Sequence, residues 1–167
     1  YVPTLAREIT TFAYAERPDW FDDPLFRQWA DAETIERVTD PEFQAAMGES
    51  SAAAAYRAGL IVAQENLERM ARAGVPIAMG TDAGPRNRFP GFLEHHELEL
   101  MVDSGLTSAE ALSAATAGSA ACLRRGDLGV LEAGRRADFV VLSRDPLADI
   151  RATREIVTVY VEGAAIR

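Results

Sequence analysis

Few side chains in this sequence have the type and setting to do chemistry, and Asp82 is foremost. It sits in the run Gly80-Thr81-Asp82-Ala83-Gly84, directly after the apolar stretch Ile77-Ala78-Met79. A long helical pattern and the turn Gly74-Val75-Pro76 precede that stretch. The order is helix, turn, short buried strand, then an acid on a glycine-flanked loop. In α/β folds reactive groups gather at the carboxyl ends of parallel strands. An Asp there can bind a metal or take a proton; it can equally form an Asx-type turn or cap a helix. Position alone leaves these roles open. Arg86 and Arg88 follow the loop and can bind a substrate carboxylate, or simply face solvent. Thr81 and Asn87 are lesser candidates. The two histidines, His95 and His96, are adjacent in one predicted helix. Neighbouring positions on a helix do not face each other, so the pair does not complete a metal site with Asp82. His96 can hydrogen-bond near a substrate or be held as a half-buried helix-start residue. All 17 basic residues are Arg, so this segment has no lysine for a Schiff base or a metal-bridging carbamate. Cys122 is the single cysteine, which excludes an internal disulfide. Its Ala-rich helical context predicts a small buried apolar residue.

The elements that must position these groups are legible in outline. Val2 to Leu5 reads as a short buried strand. Residues 6–50 form a polar, aromatic insertion containing Trp20, Phe21, Phe26 and Trp29, broken into short helices and loops by Pro18, Pro24 and Pro41. It can be a lid over a site or a packed excursion. Ser50 or Ser51 can cap a long helix to about residue 73, with Tyr56, Leu60, Ala63, Leu67 and Met70 on one face and Gly74 ending it. A helix from about Phe92 to Ser104 is stopped by Gly105. Thr107 and Glu110 have capping-box spacing for the next helix, whose small residues allow close packing. Beyond Gly126 the period changes. Ala137–Leu142 and Ile156–Val161 read as strands, with a turn at Glu162-Gly163 and a short returning strand after it.

Bulk properties set limits. A chain of 167 residues with 48% hydrophobic content can bury a core as one domain or as a piece of a larger one. A net charge of −9 argues against nucleic acid or an anionic membrane as partner. No signal peptide or membrane-length apolar run is present in this segment, so a cytoplasmic location is expected. The chain opens on a strand-like run rather than on Met, and a truncated or processed N-terminus is expected.

Residues 75–84 resemble the strand-eight signature of the amidohydrolase superfamily, in particular its imidazolonepropionase-like and Xaa-Pro-dipeptidase-like branch. His96-Glu97-Leu98 through Leu106-Thr107, Glu110-Ala111-Leu112 and Ala115-Thr116 are similar to the helix that follows that strand. Gly126-Asp127-Leu128-Gly129 and Gly134 through Leu142 are similar to the family's C-terminal β-segment, and Tyr1–Leu5 to the strand before the signature. The resemblance implies an α/β fold: residues 1–125 as the last two β/α units of a metal-dependent-hydrolase (β/α)₈ TIM barrel, with the insertion at about 6–50, and residues 126–167 as strands of a small composite β-sandwich. It implies that Asp82 touches a divalent metal, zinc by default, takes a proton from the attacking water and passes it to the leaving nitrogen. The other family ligands, His residues on earlier strands, are not in this sequence.

The expected activity is therefore hydrolysis of carbon–nitrogen bonds other than ordinary peptide bonds, in cyclic amides, dipeptides with Pro or related small amides. His96, Arg86 and Arg88 are the substrate-binding candidates. The missing N-terminal portion is the required partner, and a homo-oligomer is open. This piece alone is expected to be inactive and poorly stable, because a partial barrel exposes strand edges. Two other readings stand beside this one: an amidohydrolase-fold scaffold without catalysis, and an independent binding module built on the acidic, aromatic insertion.

Overall fold

The longest element is the helix most clearly marked in the sequence. In the computed structural model, which describes residues 1–84 and 87–166, α5 spans Ser51–Arg72. Ser50 Oγ accepts from the Ala53 N–H at 3.3 Å, and Gly74 leaves the helix with φ +76°. Leu67 is fully buried and Tyr56, Leu60, Ala63 and Met70 are half-buried on the predicted face.

The first residues depart from expectation. Val2 to Leu5 forms no strand. Thr4 turns left-handed at φ +52°, and α1 (Leu5–Thr10) begins at once. Its first two N–H groups, from Leu5 and Ala6, donate to the two carboxylate oxygens of Glu97 at 3.0 and 2.6 Å. Such N-terminal donors have no partner within a helix, and a carboxylate suits their positive dipole end. Ile77 to Met79 is not a strand either. The Tyr1 ammonium donates to the Pro76 carbonyl at 2.7 Å and the Ala78 N–H to the Tyr1 carbonyl at 2.9 Å. This single bracket of parallel-type pairing goes no further because the chain turns at Thr4.

The insertion is packed rather than open. It comprises two short 3₁₀ turns, Ala13–Ala15 and Asp19–Asp22, followed by α2 (Pro24–Trp29), α3 (Ala32–Thr39) and α4 (Pro41–Gly48). Three of its acids serve as helix starts: Asp23, Asp31 and Asp40 accept from Leu25, Thr34 and Glu42 N–H groups. Pro24 and Pro41 occupy first-turn positions where no N–H is needed. Tyr14, Phe21 and Phe26 are fully buried, Tyr14 packing on Phe21, Phe21 on Phe26 and Phe26 on Phe92, whereas Trp29 stays exposed.

Next comes α6 (Phe92–Asp103), the central helix of the core. The capping box at Thr107 forms as predicted, with Glu110 N–H to Thr107 Oγ1 at 3.2 Å and Thr107 N–H to Glu110 Oε2 at 2.7 Å. It opens α7 (Ser108–Ser113). A π turn over Ala114–Gly118 then leads into α8 (Ser119–Cys122). Around this turn Ala114 C=O accepts from Met79 N–H at 3.2 Å, and Ser119 Oγ donates to Met79 O at 3.4 Å. Residues 77–79 are thus held on this side by a helix. The small residues of the pattern permit it: a Cβ on Gly118 would stand 2.3 Å from the Ile77 carbonyl oxygen. Gly118→Ala is therefore expected to cost about 1–3 kcal/mol, the usual cost of overpacking, read as a lowered unfolding midpoint in urea. Cys122 is exposed, against expectation, because Ala120 is the buried residue of α8.

The tail folds as expected into an antiparallel sheet, β1 (Phe139–Leu142), β2 (Ile156–Val161) and β3 (Ala164–Ala165), in that order. Glu162 and Gly163 both have positive φ, 51° and 80°, as a two-residue primed turn requires. Phe139 and Tyr160 stack across β1 and β2 at 4.4 Å. Asp138 is structural: its carboxylate accepts from the Glu162 N–H at 2.7 Å and pairs with Arg136 at 3.0 Å. The α/β character holds. Among the described residues, however, this antiparallel sheet is the only one, and none of them lies in a parallel strand. Among the described residues no helix is long and apolar enough to cross a membrane.

Candidate functional site

Asp82 stands on a loop pinned at both ends. Thr81, buried, donates through Oγ1 to Glu94 Oε1 at 3.2 Å and accepts from the Ala83 N–H at 3.2 Å. Glu94 in turn accepts from the Gly91 N–H at 2.6 Å, which ties the loop to the start of α6. The Gly84 N–H donates to the Arg88 carbonyl at 2.6 Å. Between these anchors Asp82 adopts φ +54°, a left-handed conformation that Asp tolerates better than most residues. Its carboxylate is half exposed. It pairs with Arg88 Nη1 and lies 3.5 Å from Arg7 Nε. Of the expected substrate-binding residues, Arg88 is therefore brought to Asp82.

Arg7 arrives from α1. Its Nη2 donates to the Tyr56 hydroxyl on α5 at 3.1 Å, and its Nη1 to Glu8 at 3.2 Å. Asn87, with φ +68°, accepts from Arg37 through its side-chain oxygen at 2.9 Å and from Tyr14 through its carbonyl at 3.2 Å. Arg7, Thr10, Met47, Tyr56, Asn87 and Arg88 line a cleft of about 300 Å³ beside Asp82. Arg86 lies outside the described residues.

His96 is placed elsewhere. Its ring lies 4.8 Å from Trp20 and stacks on Phe92 at 5.6 Å, with Nδ1 3.9 Å from a Glu99 oxygen. His95 bonds Thr153 Oγ1 through Nδ1 at 3.0 Å, and burial, helped by the Arg154 charge, lowers its pKa. Among the described residues no hydrogen bond or ion pair joins either His to Asp82. Nor is there, among them, a group of three or more His, Cys, Asp and Glu side chains able to hold a metal ion. Asp82 supplies a single carboxylate, whose Oδ2 is paired with the guanidinium groups of Arg7 and Arg88, so the described residues do not by themselves fit a divalent metal, which takes about three protein ligands in a catalytic zinc site.

Three residues of this region have no counterpart among the sequence candidates: Arg7, Tyr56 and Glu97. Glu97 had a signal available. It shares the α6 face of Leu93, Leu100 and Met101, and a charge on a buried stripe needs a partner. Burial pushes its carboxyl up to about 7, despite the two N–H bonds that act in the opposite direction.

The sequence model of the amidohydrolase family matches residues 49–166, a stretch that includes the whole Asp82 loop. The chain belongs to the amidohydrolase family. An imidazolonepropionase of Streptomyces griseus subsp. griseus is 40% identical over 74 residues, 44% of this chain and 19% of that relative. An imidazolonepropionase of Mycolicibacterium smegmatis is 33% identical over 116 residues, 68% of this chain and 29% of that relative. The chain thus spans less than a third of the length of these amidohydrolases. A solved Xaa-Pro dipeptidase is similar in fold over 100% of this chain and 34% of its own, with a TM-score of 0.66 at 21% identity. A molinate hydrolase is similar over 98% of this chain and 39% of its own, with a TM-score of 0.58 at 26% identity.

Proposed function

We propose that this chain is part of a longer hydrolase acting on carbon–nitrogen bonds other than ordinary peptide bonds, with Asp82 as its proton carrier. Cyclic amides such as an imidazolone ring and dipeptide-like amides are the substrate classes suggested by the relatives' names. In this reading residues 1–125 complete the final β/α units of a barrel and residues 126–167 contribute to a companion sandwich. The fold likeness to the dipeptidase, which extends over the entire chain, supports that division.

One observation carries the reading: within the stretch matched by the family model, a half-exposed carboxylate is presented on a firmly anchored left-handed loop beside a polar cleft. An ionised carboxylate so placed can accept the proton of an attacking water as the carbon–oxygen bond forms. It can return that proton to the nitrogen as the carbon–nitrogen bond breaks. Arg7 and Arg88 orient it. A divalent metal, zinc in the first instance, enters only with ligands from outside the described residues, with Asp82 as one of them.

The test is turnover of imidazolone and dipeptide-like substrates by the full-length protein and its Asp82→Asn variant. Loss in the variant supports the reading. A second reading, a scaffold without catalysis, is favoured by the guanidinium pairing of Asp82. It predicts no turnover by the unaltered full-length protein.

A further inference from the structure

We propose that Arg37 is a positioning residue for the Asp82 loop: through Asn87 the insertion sets the direction in which the Asp82 carboxylate is presented. The inference rests on the hydrolase reading and deepens it by giving the insertion a part in the reaction.

The two limbs of the loop are held by different elements. The limb that enters it is tied to α6 through Thr81 and Glu94. The limb that leaves it, residues 87–91, is held by the insertion at every second residue. Arg37 Nε on α3 donates to Asn87 Oδ1 at 2.9 Å, and the Tyr14 hydroxyl donates to the Asn87 carbonyl at 3.2 Å. Phe89 is buried edge-on against Phe26, with ring centres 5.2 Å apart. Gly91 lies so close to Trp29 that a Cβ there would stand 2.5 Å from the indole. Arg88 falls between the first two of these holding points. Its carbonyl closes the loop on the Gly84 N–H, and its guanidinium pairs with Asp82.

The hold on Asn87 is the directional one. Its backbone is left-handed, at φ +68°, a conformation that persists where neighbours over-determine it. Phe26 and Trp29 supply contact without direction. A guanidinium N–H on an amide oxygen fixes both distance and angle. Arg37 is able to do this because α3 is itself seated, with Thr34 and Val38 buried. Loss of its donor frees the Asn87 side chain, and Arg88, the next residue, moves with it.

Amide hydrogen exchange of the full-length protein reads the hold at the Gly84 N–H, whose bond to the Arg88 carbonyl reports the closed loop. Arg37→Met is expected to speed exchange there about tenfold, the scale of one hydrogen bond to a charged group. Amides inside α5 are expected not to change, whereas a general loss of stability would move both. Arg37→Lys keeps a charged donor and is expected to recover part of the protection. An Asn87→Gly background allows the left-handed turn but lacks the acceptor, so Arg37→Met is expected to change nothing further there. In the same Arg37→Met protein kcat is expected to fall about tenfold with KM little changed. Unaltered Gly84 exchange in Arg37→Met, or an equal effect in the Asn87→Gly background, overturns the positioning role. So does full turnover by an Arg37→Met protein whose Gly84 exchange is faster. If the unaltered protein turns over no amide while its Gly84 exchange still responds to Arg37, the hydrolase reading falls and the hold on the loop stands.

Discussion

Asp82→Asn is expected to lower kcat of the full-length protein by about 10²–10⁴-fold, the range spanned by a positioned acid–base group. The replacement is nearly isosteric. Its amide oxygen still accepts from Arg88, and the loop remains held by Thr81, Glu94 and Gly84. Stability should therefore stay within about ±0.5 kcal/mol, as for surface changes that break no buried contact. The asparagine cannot carry the water proton to the leaving nitrogen, so the loss falls on turnover with KM little changed. Asp82→Glu, which keeps the acid but moves it by a methylene, should recover part of the rate. Steady-state kinetics at one pH, with circular dichroism of each variant, decides this. Unchanged kcat in Asp82→Asn would remove the residue from the chemistry.

The second large effect is expected at Glu97. Glu97→Leu removes the acceptor for the Leu5 and Ala6 N–H groups, both buried. Each donor left without a partner costs about 1–3 kcal/mol, so this variant should lose several kcal/mol, read as a lowered urea midpoint. The pH dependence has a definite sign. Burial raises the Glu97 carboxyl from 4.5 to about 7 in the folded state. Between those values the folded protein holds a proton that the unfolded chain has released. Stability from this group is complete below 4.5 and falls as pH rises through about 7, by up to about 3 kcal/mol across the window. Glu97→Gln, which cannot titrate, should lose that slope. Urea unfolding of both proteins on either side of the window measures it, and parallel pH profiles would contradict the assignment. Because Glu97 anchors α1, and α1 carries Arg7, the same variants should weaken the Arg7 contact with Asp82.

Elements with strong local signals formed where the sequence put them. Ser50 and Gly74 bound α5, Thr107 and Glu110 cap α7, and Glu162-Gly163 turns β2 into β3, because each depends on backbone geometry within a few residues. The family likeness carried by residues 75–84 was legible for a similar reason: the motif is contiguous, and it includes Asp82 and lies just ahead of Arg88. Long-range contacts decided the rest. Val2 to Leu5 had the composition of a strand, yet Glu97, remote in sequence, offered its carboxylate to the Leu5 and Ala6 N–H groups and a helix began there instead. His96, near the signature in sequence, went to an aromatic cluster with Trp20 and Phe92, while Arg7 and Tyr56 came from distant helices to the cleft beside Asp82. Local sequence specifies where a helix starts or a turn bends, since those bonds close over a few residues. Which side chains meet at Asp82 depends on how whole elements pack, because burial and ion pairing act across space without regard to chain separation.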